Sequence, residues 1–268
     1  LCGGEPFIRE DIDQIVDIWI RNTKPLIVDI PTNSSLPEKI REKCASILRS
    51  HPKVTIDIQL SLEGDEQIHD EVRKFPGIYQ RVMKTYEYLV ELRKMYSNLK
   101  IKLNLVYIPE NESAVLKLMR HFTHCYEFDR VQITFPHGNN IADTHINHLN
   151  FNRFYKLTRT VLKSRVLSRF DLHTMIFRSI KLTRDELLLD ANNKCSMGSY
   201  CNSGKSFIVI DDEGAVFPCE PLWDSVGNLR DHDYDITKIL KSKRMKEFWQ
   251  THHGNQKCHC LWGCAALG

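Results

Sequence analysis

No apolar run in this 268-residue chain approaches the roughly 18 residues that a membrane-spanning helix needs. Charge of one sign is not in excess either. Against 37 Lys and Arg stand 34 Asp and Glu, a formal net charge of +3, which speaks against a nucleic-acid-wrapping or polybasic membrane protein. Acidic residues occur from Glu5 onward, so the pattern of an export signal is missing. Short repeats and low-complexity stretches are missing too. Cysteine is sparse over most of the length: Cys2, Cys44 and Cys125 are the only three in the first 194 residues. The last 74 residues hold six: Cys195, Cys201, Cys219, Cys258, Cys260 and Cys264. A secreted disulfide scaffold would be short and cysteine-dense throughout. A chain of this length buries an adequate core without such staples. The cysteine-rich tail therefore reads as a metal or cluster site in a reducing, cytoplasmic setting.

The first two-thirds alternate between two periods. Residues 10–22 place Ile12, Ile15, Val16 and Trp19 at helical spacing. Residues 25–30 form a short apolar run ended by Pro31 and the turn-like Thr32-Asn33-Ser34, so a strand is expected. The pattern continues as helix 37–50, strand 54–62, helix 75–97, strand 100–108, helix 112–124, strand 129–135 and helix 148–164, with one more strand over 172–177. Strands alternating with helices of this length imply βα units and a parallel sheet. From about residue 195 the texture changes. Residues 206–210 and 215–217 flank Asp211-Asp212-Glu213-Gly214 as a β-hairpin, and a helix follows near 236–250. A boundary near 185–194 divides a domain of residues 1–190 from one of residues 191–268.

The hairpin is the key to the tail. Twelve residues separate Cys201 from Gly214, and four separate Gly214 from Cys219, so the turn returns the second thiol beside the first. Thiolates gathered in this way suit zinc or an iron–sulfur cluster, and thiol count alone leaves the two open. At the other end, Gly3-Gly4-Glu5-Pro6 closes a strand with bare backbone that can approach a ligand's polar atoms, and Glu5 can accept from an ammonium group. Ser61-Leu62-Glu63-Gly64 ends a later strand and is followed by His69-Asp70-Glu71-Val72-Arg73 and Phe75-Pro76-Gly77.

Taken together, these segments resemble the radical S-adenosylmethionine (radical SAM) superfamily over nearly the whole chain. Gly3-Gly4-Glu5-Pro6 is similar to the family's motif for the methionine ammonium, and Thr32-Asn33-Ser34 to its Thr-Asn-Gly turn. Ser61 to Arg73 resembles the segment whose Ser and Arg touch the ribose and carboxylate in the peptide-modifying branch. The tail, with its Cys201-x12-Gly214-x4-Cys219 spacing, resembles the twitch/SPASM extension that carries auxiliary 4Fe–4S clusters. The fold implied is α/β, a partial (βα) barrel lacking its first strand or strands, followed by a small β-hairpin and helix domain that binds a cluster. The resemblance assigns Gly3, Gly4, Glu5, Pro6, Ser61 and Arg73 to S-adenosylmethionine. It assigns Cys195, Cys201, Cys219 and Cys264 to one auxiliary cluster, with Cys258 and Cys260 as alternates.

Two departures accompany it. The Cys-x3-Cys-x2-Cys loop that holds the catalytic cluster is absent; its ligands are expected in a preceding segment, the sequence being part of a longer chain, with a degenerate family member as the alternative. The tail holds six cysteines where a two-cluster SPASM extension needs about seven or eight, so one cluster is expected; a tail continuing beyond Gly268 would reopen the two-cluster reading. The implied activity is hydrogen-atom abstraction by a 5′-deoxyadenosyl radical, oxidising or crosslinking a peptide or small polar metabolite. Flavodoxin or ferredoxin is the implied electron donor, and neither nucleic acid nor membrane is an expected partner. The competing readings are a degenerate, non-catalytic fold of this type and a zinc-stabilised binding or scaffold protein.

Other residues read more plainly. Cys2 is expected as a buried strand-end thiol, and Cys44 and Cys125 as core packing. His252, His253 and His259 lie near the cysteines and read as solvated side chains, with a ligand role as the alternative. His137-Gly138-Asn139-Asn140 follows a strand at the C-terminal edge of the sheet, where parallel α/β sheets carry their sites.

Overall fold

The computed structural model describes residues 3–107, 111–134, 153–156, 183, 186–187, 190, 201–220 and 222–252. The chain divides into two compact units, Leu1–Thr134 and Phe135–Gly268. The boundary read near 185–194, the strand over 172–177 and most of the helix over 148–164 lie outside the described residues, as do Cys2 and His137 to Asn140.

In the first unit each expected βα element forms, with small shifts. Helix α1 (Ile12–Thr23) buries Ile12, Val16 and Ile20, one residue per turn along a single stripe, and ends where Lys24 turns left-handed. Strand β1 (Ile27–Thr32) follows, then α2 (Pro37–Ser50), with proline at its start where no amide donor is needed. Asp13 on α1 binds Lys43 at 3.1 Å and Ser46 at 2.9 Å on α2. Strand β2 (Thr55–Leu62) leads to α3 (Glu66–Arg73) and α4 (Ile78–Met95). The helix expected over 75–97 forms as α4, beginning just after Pro76 and Gly77; α3 before it is a helix that the apolar spacing did not predict. Gly77 adopts φ +81°, and Asp70 of α3 accepts from the backbone amides of Gly77 at 2.5 Å and Tyr79 at 2.9 Å. Strand β3 (Leu99–Val106), α5 (Glu112–Cys125) and β4 (Arg130–Thr134) complete the unit.

The four strands are parallel and lie in the order β1-β2-β3-β4. Right-handed crossovers between strands in sequential order put every connecting helix on one face. Burial agrees. Ile56, Ile58, Leu60 and Leu62 of β2, Ile101, Leu103 and Leu105 of β3, and Val131 and Ile133 of β4 are buried. The alternate positions are polar: Asp57, Gln59 and Ser61 on β2, Lys102 and Asn104 on β3, Gln132 on β4. Across this polar face Lys102 binds Asp29 at 2.8 Å and also Asp57, while Gln132 donates to Gln59 at 3.1 Å. Winding to one side only is that of a section of a (βα) barrel, not of a doubly wound sheet.

Cys44 is fully buried on α2, as expected. Cys125 is not: the last residue of α5, it is exposed, because the helix turns its Val115, Met119 and Phe122 stripe inward and Cys125 falls off that stripe.

The second unit has its own small core. Strands β5 (Val209–Ile210), β6 (Ala215–Phe217) and β7 (Gly227–Asn228) form an antiparallel sheet in that order. The first turn is closed by Asp211, whose carboxylate accepts from Glu213 and Ala215, and by Gly214 at φ +85°. Val216, Cys219, Val226, Ile239, Met245 and Phe248 pack together beneath it. The helix expected over 236–250 is two, α6 (Ile236–Leu240) and α7 (Lys243–His252). Ser242 makes the break by accepting from the Met245 amide at 3.1 Å and so capping α7.

Candidate functional site

The C-terminal ends of β1 and β2 carry the first group of sequence-predicted residues. Gly3 takes φ +151°, a region few side chains adopt, and a Cβ on Gly3 or Gly4 would meet nothing within 4 Å. The space beside this backbone is open to a ligand. Glu5, 7% exposed, points the other way, into the fold. Its Oε1 accepts from the Phe7 amide at 3.2 Å, its Oε2 from the Asn33 amide at 2.7 Å, and the Thr32 hydroxyl lies 2.9 Å from both. Glu5 thus caps the turn Pro6–Ile8 and ties it to the Thr32-Asn33-Ser34 bend. Three donors serve a carboxylate that can accept about four, so one position remains for an ammonium. Beside it Ser34, fully buried at φ +61°, has a hydroxyl oxygen with no partner.

One strand over, Ser61 sits on the polar face with Asn104 opposite it in register. Asn104 is 9% exposed and its amide oxygen has no partner. A buried polar atom without a partner is rare in a folded protein and fits a place where a polar ligand completes the bonding. Beyond Ser61, Glu63 is 5% exposed and His69 1%. Arg73 grips Glu63 with two parallel bonds, Nε to Oε2 at 2.9 Å and Nη2 to Oε1 at 2.6 Å. His69 Nδ1 lies 2.7 Å from Glu63 Oε2. Burial alone would raise the Glu63 carboxyl; the bonds from His69 and Arg73 outweigh it and hold the group below its usual range. Asn111 donates to the carbonyls of Glu63 and Val106, binding the loop after β2 to the end of β3.

Glu63, His69 and Asn104 lie outside the set picked from the sequence. His69 and Arg73 are four residues apart on a short helix, hence on one face, and that spacing was the available signal. Asn104 belongs to an alternation of polar residues along β3 that was equally legible.

The second group lies in the second unit. Cys201 is half-buried, Cys219 is buried, and both are free thiols lining one cavity with Phe248, Trp249 and His252. Burial first, and then the neighbouring Cys201, raises the Cys219 thiol above its usual range. Gly204, φ +72°, lets the chain pass close to Pro218: a Cβ there would lie 2.9 Å from the proline and from Met245. Ser203 donates to the Pro218 carbonyl at 2.6 Å, fastening the segment after Cys201 to the one before Cys219. Two converging thiols are half a set of ligands for a thiolate-bound centre. Among the described residues no three Cys, His, Asp or Glu side chains are grouped so as to hold a metal ion, although His252 lines the same cavity. Cys195, Cys258, Cys260 and Cys264 lie outside the described residues, as do His253 and His259.

Among the described residues the fold is a parallel βα sheet wound to one side, with a polar C-terminal edge, and a hairpin unit in which two thiols line one cavity. Residues 201–265 match the SPASM family, an iron–sulfur cluster-binding domain. Over the whole chain the structure is similar to that of tagged anSMEcpe with bound AdoMet, at 17% identity and a TM-score of 0.61, covering 100% of this chain and 70% of that one. Native anSMEcpe with bound AdoMet matches at 16% identity and 0.60, covering 99% and 72%. Native anSMEcpe with bound AdoMet and Cp18Cys peptide matches at 18% identity and 0.58, covering 100% and 73%. No curated protein matches the chain.

Proposed function

We propose that the protein acts as a radical S-adenosylmethionine enzyme on a peptide substrate. The observation that carries this is the convergence of Glu5, Ser34, Ser61 and Arg73 at the ends of adjacent parallel strands, with buried oxygens of Ser34 and Asn104 left unpartnered. Support for a peptide comes from the similar structures, which carry bound peptides. A small polar metabolite is the alternative substrate class.

In this reading Gly3, Gly4, Glu5 and Pro6 receive the methionine ammonium. Glycine leaves the approach clear, and Glu5 offers its remaining lone pair. Arg73 keeps Nη1 and the outer hydrogen of Nη2 for the carboxylate, since only one edge of its fork is spent on Glu63. Ser61 pairs with a ribose hydroxyl. Cys201 and Cys219, with Cys195 and Cys264 and with Cys258 and Cys260 as alternates, hold the auxiliary 4Fe–4S cluster. When bound and reduced by a flavodoxin- or ferredoxin-type donor, the cofactors supply a 5′-deoxyadenosyl radical that takes a hydrogen atom from the substrate. The protein's own part is to position those groups and exclude water.

The test is anaerobic reconstitution of the full-length protein with iron and sulfide, followed by assay for 5′-deoxyadenosine with S-adenosylmethionine and dithionite. Acid-labile sulfide and 5′-deoxyadenosine are expected. Zinc at one per chain with no sulfide would support the scaffold reading instead, and a sulfide-bearing protein that never cleaves S-adenosylmethionine the degenerate one.

A further inference from the structure

We infer that Glu63 and His69 are positioning residues that fix the guanidinium of Arg73 for a carboxylate ligand. This rests on the assignment of Arg73 to the S-adenosylmethionine carboxylate made above.

Arg73 is the last residue of a helix of eight, its side chain is 35% exposed, and left alone it would sample many rotamers. Glu63 removes that freedom. Its two oxygens take Nε and Nη2 in the parallel geometry that only a guanidinium can satisfy. The opposite edge of the fork, Nη1 with the outer Nη2 hydrogen, is thereby turned in one fixed direction. A lysine could make neither the double bond pattern to Glu63 nor a second one to a ligand.

Glu63 is itself held. Its carbonyl is fixed by Asn111, and its Oε2 by His69. Two contacts compete for His69 Nδ1: the carboxylate at 2.7 Å and the Glu63 amide at 3.3 Å. The shorter one, to a charged acceptor, requires the proton on Nδ1, and then Nδ1 cannot accept from the amide. Nε2 is buried without a partner, and the ring packs edge-on to Tyr79 at 6.4 Å between centroids. A ring with its proton on Nδ1 leaves a bare lone pair at Nε2. The Nδ1 proton is thus spent on the carboxylate, and the packed ring holds Glu63 in place. Asp70, the next residue, holds the following turn through Gly77 and Tyr79, so the His69 backbone is anchored from both sides.

The test compares affinities of the reconstituted holoprotein for S-adenosylmethionine and for its decarboxylated form, by equilibrium dialysis. The readout is the ratio of the two. R73Q should weaken S-adenosylmethionine by about tenfold or more, the worth of a lost charge-assisted pair. It should leave the decarboxylated form unchanged. E63Q and H69L should lower the ratio by about threefold to tenfold and add little in the R73Q background. H69N, which can offer an amide donor where Nδ1 stood, should restore most of it. E63D keeps the charge but shortens the reach; it should lower the ratio too, and it serves if E63Q folds poorly. A ratio unchanged in E63Q, E63D and H69L, or both ligands weakened equally, overturns the positioning role while leaving Arg73 in place. An unchanged ratio in R73Q overturns the Arg73 assignment itself.

Discussion

Glu5 and Glu63 are both buried carboxylates at the C-terminal edge of one sheet, yet their partners differ in kind. Glu5 is served by neutral amides and a hydroxyl, so it orders backbone and keeps a lone pair to spare. Glu63 is served by Arg73 and His69, so it is occupied and its function is to hold something else. The second arrangement has a pH consequence. A carboxyl held below its usual range stabilises the fold fully above the unfolded value of about 4.3 and loses that contribution as pH falls through the folded value. E63Q should therefore cost about 1–3 kcal/mol near neutrality and lose less stability than the native protein below about pH 4.3. Denaturant unfolding at stepped pH checks this; parallel curves would refute it. The thiols give a second residue-scale expectation. Cys44, fully buried and with its thiol pushed up by burial, should resist alkylation in the native state, while exposed Cys125 should react first. Peptide mapping after brief iodoacetamide treatment reads the order. The apolar spacing ends a helix at residue 124 and places Cys125 in the connection after it; Cys125 is the last residue of α5, off the buried stripe, and that phase decides its exposure.

At the scale of elements, hydrophobic spacing located helices and strands of the first unit to within a few residues, since each buries a regular stripe. It failed where a break depends on a side chain bonding to backbone. Ser242 capping α7 split what the apolar pattern joined, and α3, which buries only His69, went unread. Strand β7 escaped notice for another reason: Gly227 and Asn228 have no apolar period to read. Two substitutions probe the elements. I58A, at a fully buried site on β2, should cost about 2–5 kcal/mol in a thermal or denaturant melt. G214A forces a left-handed residue and brings its Cβ to 3.2 Å from Asn228, and should cost the hairpin about 1–2 kcal/mol. Because Cys201 and Cys219, on either side of the hairpin, line one cavity, iron per chain should fall with it if they are ligands as proposed, and a G214A protein with full iron content would contradict the coupling.

At the scale of the molecule, the two units differ in how they are sustained. The first has a sheet whose buried apolar face is packed against helices. In the second, the core described comprises Val216, Cys219, Val226, Ile239, Met245 and Phe248, the sort of small core that usually leans on a metal or disulfide. Removing iron with a chelator should raise amide exchange across residues 201–252 and leave β1 to β4 protected; equal protection with and without iron would show that the thiols are not ligands. The two-part organisation was readable from where cysteines cluster. The polarity of the sheet's second face was also present in the alternation of Asp57, Gln59 and Ser61, but only the strand order tells on which face the described helices connecting β1 to β4 lie.

Lining one side of a sheet with amides and ion pairs has a practical result. Gln59 and Gln132 bear on each other and not on the helix-packed core. Side chains at these two half-buried positions can be exchanged at less cost to folding than those of the helix-packed core, so the chemistry of this face can change while the scaffold stays the same.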